Sequence, residues 1–187
     1  LKVGVRDLGD GDGMGGPPEE NESVIMKAIR MGDGVAVKVM SDVLGGFKKE
    51  DAEGEEGWRS RNEDGETPFQ VAAGRNRVDL CRYVRDGEDV NEIVKVKGNT
   101  LLHDACKQGR KEMVEYLISE GADCNAVGRQ GFTPTLLACR NGDADVVGLC
   151  VQNGGDIKIK ACGKDGLEWA KGQGERGKDV VEMLEGL

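Results

Sequence analysis

An alanine recurs along this chain at a fixed interval. Ala72, Ala105 and Ala138 stand 33 residues apart, each inside a stretch of similar character: TPFQVAAGRN, TLLHDACKQG and TPTLLACRNG. Ala170, in LEWAKGQG, follows 32 residues after Ala138. Ala28, in IMKAIRMG, precedes Ala72 by 44, which is one interval plus an insertion of 11. A repeat of this length constrains the fold more than any other feature. It calls for a row of similar units, each burying its apolar face against its neighbours rather than in one central core.

The surroundings of the alanine repeat as well. Four residues after it come Gly32, Asn76, Gly109, Gly142 and Gly174. Gly, with Asn as its usual substitute, is the residue that ends a short helix in the left-handed conformation. Nine residues after it come Val37, Cys81, Val114 and Val147, and twelve after it Met40, Val84, Leu117 and Cys150. These apolar pairs, three apart, predict a second helix with one buried face. Cys81 and Cys150 therefore belong to that face. Cys106 and Cys139 match each other one unit apart, so the cysteines follow the repeat rather than a metal-ligand pattern.

Three stretches open the central units: GETPFQVA from Gly65, GNTLLHDA from Gly98 and GFTPTLLA from Gly131. GEDVN from Gly87, GADCN from Gly121 and GGDIK from Gly154 come late in the units. In these motifs the chain resembles the ankyrin-repeat family over residues 21 to 187. The resemblance implies an all-α solenoid of stacked helix-turn-helix units joined by short β-hairpin loops. The units run approximately over 23–44, 63–95, 96–128, 129–161 and 164–187, with an insertion at 45–62 and a Gly/Asp-rich extension at 1–22. Physical chemistry agrees: Thr is a good N-cap, and Pro after it suits the first helical turn. By resemblance, His103 should hydrogen-bond within its own unit and to the next.

The end units are degenerate. The first, Ser23 to Leu44, lacks the T-P-L-H stretch; its first helix is expected to be short and its outer face polar, as a cap requires. The last closes on a helix from about Lys178 to Leu184, with Trp169 expected in the core. The insertion is charged and Gly-bearing, hence an exposed loop. Trp58 within it either folds back or anchors a partner. The composition of residues 1–22 cannot drive folding alone.

Several functions find no support. No phosphate-binding loop, nucleophile elbow or H-E-x-x-H motif occurs, so the chain is expected to be non-catalytic and without a cofactor. The run GDGDG from Gly9 lacks the twelve-residue calcium-loop pattern. A zinc site built from His103, Cys106 and further thiols is set aside because the cysteines follow the repeat. A net charge of −9 and a pI near 4.8 disfavour nucleic acid and anionic membranes. No apolar run reaches membrane-spanning length. Six cysteines without CxxC spacing fit a reducing, cytosol-like compartment. The start at Leu1 leaves an organelle or processed form open.

What remains is binding to a protein. In ankyrin-like stacks the concave face is built by hairpin tips and first helices. The hairpin positions expected to face solvent are Glu63, Asp64 and Glu66; Val96, Lys97 and Asn99; and Arg129, Gln130 and Phe132. A basic column, Arg30, Arg75, Lys107 and Arg140, reverses the sign of this acidic chain locally. With Gln108 and Asn141 beside it, and Phe132 as an apolar anchor, it would suit a partner with an acidic surface. The chain would then be an adaptor or scaffold in a larger assembly. The alternatives are a structural filler held by residues 1–22 and 45–62, or a regulatory piece of a longer enzyme.

Overall fold

The computed structural model describes residues 24–43, 61–85, 88–94 and 98–186. Residues 1–22, most of the insertion with Trp58, and Val96 and Lys97 lie outside the described residues, as does the Met40 side chain.

Among the described residues, ten short helices follow one another in antiparallel pairs. The pairs are α1 (Val24–Met31) with α2 (Gly34–Val43), α3 (Pro68–Gly74) with α4 (Val78–Val84), α5 (Leu101–Gln108) with α6 (Lys111–Ser119), α7 (Pro134–Asn141) with α8 (Ala144–Gln152), and α9 (Gly166–Lys171) with α10 (Lys178–Glu185). First helices pack on first helices, α1 on α3, α5, α7 and α9 in order. Second helices form a parallel layer from α2 to α10. The hairpin tips contribute two isolated antiparallel bridges, Val94 with Asn99 and Ala161 with Lys164. The predicted all-α solenoid is the observed one.

Local chemistry sets each boundary. Thr67 and Thr133 cap α3 and α7, their hydroxyls accepting from the backbone N–H of Gln70 and Leu136 at 3.2 Å, with Pro next in line. Asp165 and Glu168 cap α9 reciprocally at 2.9 Å. At the far end of every first helix the chain turns through a left-handed residue: Gly32, Asn76, Gly109, Gly142 and Gly174 have φ between +58° and +81°.

The core runs the length of the stack. Val37, Cys81, Val114 and Val147 are fully buried, as are the anchor residues Ala72, Ala138 and Ala170. Between units the late motif acts as a stitch. Asn91 accepts from the Asp123 N–H at 2.8 Å and donates to the Gly121 carbonyl at 3.1 Å. Asn125 repeats both bonds one unit on, to Asp156 and Gly154, each at 2.8 Å.

The first unit departs from expectation twice. Helix α1 has eight residues and is no shorter than its counterparts, because Ile29 and Ala28 bury against the stack without the T-P-L-H stretch. Its surface also carries valines where a polar cap was expected: Val35 is 74% exposed and Val39 52%, beside the exposed Lys27 and Lys38.

Candidate functional site

The junction of the third and fourth units forms a groove of about 240 Å³, lined by Asn99, Lys107, Arg129, Gln130, Phe132, Leu137 and Arg140. Helices α5 and α7 supply its floor, and the hairpin tips around Asn99 and Arg129 supply its rim. Among the described residues, no carboxylate lines it.

His103 fixes this junction. Its ring is fully buried between the two units. The Thr100 backbone N–H donates to Nδ1 at 3.2 Å, and the Thr100 hydroxyl lies 2.7 Å from the same nitrogen. Nδ1 is therefore the acceptor, and Nε2–H donates across the junction to the Phe132 carbonyl at 3.1 Å. Burial holds the His103 pKa below its ordinary value, against an opposing pull from the Phe132 carbonyl. Histidine thus plays the structural part that the resemblance implied.

The rim depends on the same residues. The Asn99 carboxamide oxygen accepts from the Arg129 N–H at 3.0 Å. Gly128 passes so close that a Cβ there would stand 2.5 Å from His103 Nε2 and 2.7 Å from Asn99 Oδ1. Gln130 turns left-handed, with φ +60°.

Phe132 corrects the sequence reading. It was expected to be a solvent-facing anchor, yet only 4% of it is exposed. Its ring packs on Trp169 with centroids 5.3 Å apart and planes tilted by 50°. The Arg140 guanidinium lies over both rings, 4.6 Å from Phe132 and 5.8 Å from Trp169, while Lys164 Nζ lies 5.0 Å from the Trp169 ring. Phe132 was misplaced because the fifth unit supplies an aromatic neighbour that no local pattern announces. Trp169 joins the core as expected, although it remains partly exposed.

The structure brings together Lys107, Arg129, Gln130 and Arg140 from the predicted residues. Arg30 and Arg75 stand outside the groove, further along the first helices; Arg75 Nη1 donates to the Arg30 carbonyl at 3.0 Å. Gln108 and Asn141 lie one residue past the lining positions Lys107 and Arg140. Leu137 was missed, though it is legible: it precedes Arg140 by three and shares its helix face.

The thiols do not build a second site. Among the described residues, no three His, Cys, Asp or Glu side chains converge as a metal would need. Cys106 and Cys150 lie with sulfurs 3.7 Å apart inside the stack. Burial pushes the Cys81 and Cys139 thiols up to about 12, so both remain protonated. Cys162 is the exposed one.

A row of helix pairs, each packed on the next, defines the class of helical-repeat proteins. The family model for ankyrin repeats, in three copies, matches residues 25–128 and 87–161, and the chain belongs to the ankyrin-repeat family. It is similar to alpha-latroinsectotoxin-Lt1a of Latrodectus tredecimguttatus, at 37% identity over 62% of the chain and 8% of that protein. It also resembles a Caenorhabditis elegans homolog of transient receptor potential cation channel subfamily A member 1, at 30% identity over 68% of the chain and 10% of that protein. An ankyrin repeat, SAM and basic leucine zipper domain-containing protein 1 of Dasypus novemcinctus is 30% identical over 75% of the chain and 28% of its own length. The chain thus spans about a tenth of the length of the first relatives it matches. Among the described residues, no helix is long and apolar enough to cross a membrane.

Proposed function

We propose that this chain is a non-catalytic binding module whose concave groove, between the third and fourth units, receives an acidic segment of a protein partner. Ankyrin repeats generally mediate protein–protein interaction. The observation that carries the finer reading is the lining itself. Lys107, Arg129 and Arg140 converge on one groove with no carboxylate among its described walls, in a chain of net charge −9.

The three cations are held differently. Arg140 is held against Phe132 and Trp169, so it offers a positioned, planar donor set suited to a carboxylate. Lys107 and Arg129 are exposed and can adjust. An acidic side chain entering here would gain charge-assisted hydrogen bonds and would be steered towards the groove against the background charge. In this reading the chain acts as an adaptor within a larger assembly.

Selection of a random peptide library on the immobilised chain tests this directly. Enriched peptides should be rich in Asp and Glu, and their binding should weaken by about tenfold or more when Lys107 and Arg129 are both changed to Glu. Lys178→Glu, far along on α10, should leave it unchanged. Peptides without an acidic bias, or binding indifferent to the double reversal, would remove the groove from consideration.

A further inference from the structure

The groove between the third and fourth units is rich in donors and poor in acceptors. Lys107, Arg129 and Arg140 bring ammonium and guanidinium groups, which donate and cannot accept. The Asn99 carboxamide oxygen already accepts from the Arg129 N–H at 3.0 Å, so what this side chain can offer a ligand is its amide hydrogens. Phe132 and Leu137, both buried, add carbon to the lining. Among the described lining residues, Gln130 alone has a further side-chain oxygen.

Elsewhere on the stack, cations sit beside carboxylates. Arg77 pairs with Asp79 at 2.8 Å, and Lys111 with Asp145 and Lys171 with Glu185 at 2.9 Å. Among the described residues, no such pair involves Lys107, Arg129 or Arg140. Arg140 is braced by aromatic faces instead, its guanidinium lying over the Phe132 and Trp169 rings. A guanidinium stacked in this way keeps its in-plane N–H groups available as a fork. Three positive charges thus share a space of about 240 Å³ with no carboxylate among the described walls.

A single carboxylate matches this lining poorly, since it brings one negative charge and two oxygens. A phosphate monoester carries about −1.5 to −2 at pH 7 and three strong acceptor oxygens. Three cationic donor groups, one of them a rigid fork, fit that ligand both in charge and in number of bonds. We propose that the residue this groove receives is a phosphorylated serine or threonine of a protein partner, with Arg140 as the positioned fork and Lys107 and Arg129 closing on the phosphoryl group from α5 and the rim. The proposal rests on the reading of this groove as the binding site and names the group that enters it. A nucleic-acid strand is the poorer occupant. The net charge of −9 works against a polyanion, and the three cations meet at one junction rather than tracking a backbone.

Three degenerate peptide pools, identical except for a central phosphoserine, glutamate or serine, are titrated against the full chain. The phosphoserine pool should bind tighter than the glutamate pool by about tenfold or more, with the serine pool weakest. Lys107→Ala/Arg129→Ala should remove that preference. Arg140→Lys, which keeps the charge and loses the fork, should reduce it. Equal binding of the phosphoserine and glutamate pools would overturn the phosphoryl assignment and leave the acidic-segment reading standing. No binding by any pool would end both. A phosphoserine preference that survives the double alanine change would put the phosphoryl site elsewhere. A short single-stranded RNA that binds as tightly as the phosphoserine pool would give the groove to nucleic acid. Either of these last two results overturns the proposal.

Discussion

His103 is held neutral by its surroundings, and that has a consequence for stability. Burial lowers its pKa, so between the depressed and the ordinary value near 6.5 the unfolded chain binds more protons than the folded one. Its contribution is therefore complete above pH ~6.5 and is lost as the pH falls through the depressed value. Urea titrations at pH 7 and pH 5 should show a loss on acidification that is smaller in His103→Gln. At neutral pH, His103→Ala should cost about 2–4 kcal/mol, because it opens a cavity, takes the ring acceptor from the buried Thr100 N–H and leaves the Phe132 carbonyl with the Gly128 N–H alone. The Gln variant should cost less: Gln70, at the equivalent place in the second unit, already accepts the Thr67 N–H at 3.1 Å. Gly128→Ala should be comparably harmful, since its Cβ would strike His103 and Asn99. Thermal unfolding of these variants checks each ranking.

At the scale of elements, the bonds between units show which parts of the sequence could be read directly. Caps, left-handed helix ends and the buried pairs Cys81/Val84, Val114/Leu117 and Val147/Cys150 were legible, because each depends on residues within one turn of one another. The Asn stitch was legible in its motif but not in its reach: Asn91 and Asn125 bond to the unit after their own. It ends where the motif reads GGDIK, since Lys158 stands where Asn stood and has no acceptor for the next N–H. Asn125→Ala should cost about 1–2 kcal/mol, as two bonds between the third and fourth units vanish. Amide exchange should rise first at residues 154–156. What sequence could not give was side-chain packing across units. Phe132 looked like an exposed tip residue because Trp169, 37 positions later, is the ring that covers it.

For the whole molecule, the proposed function rests on the groove between the third and fourth units. A stack distributes its core along its length, so neighbouring units stabilise each other and no single interior governs the rest. That leaves the concave side free to carry charge of the opposite sign to the chain. The register of the basic column was only partly visible in the sequence. Arg75 follows its anchor by three residues where Lys107 and Arg140 follow theirs by two, and it bonds to the neighbouring backbone. Among the described residues, three cations from adjacent units and one hairpin meet in the groove. Partner binding through them should weaken with rising salt, since exposed charges are screened over about 10 Å at 0.1 M. Isothermal titration at two ionic strengths measures that slope.

The most direct test of the groove as the binding site is a hydrogen-exchange footprint of the chain saturated with a selected acidic peptide. The account predicts protection at residues 98–100 and 128–132 and along α5 and α7, with none gained on α4, α6 or α8. Protection confined to those second helices would contradict it.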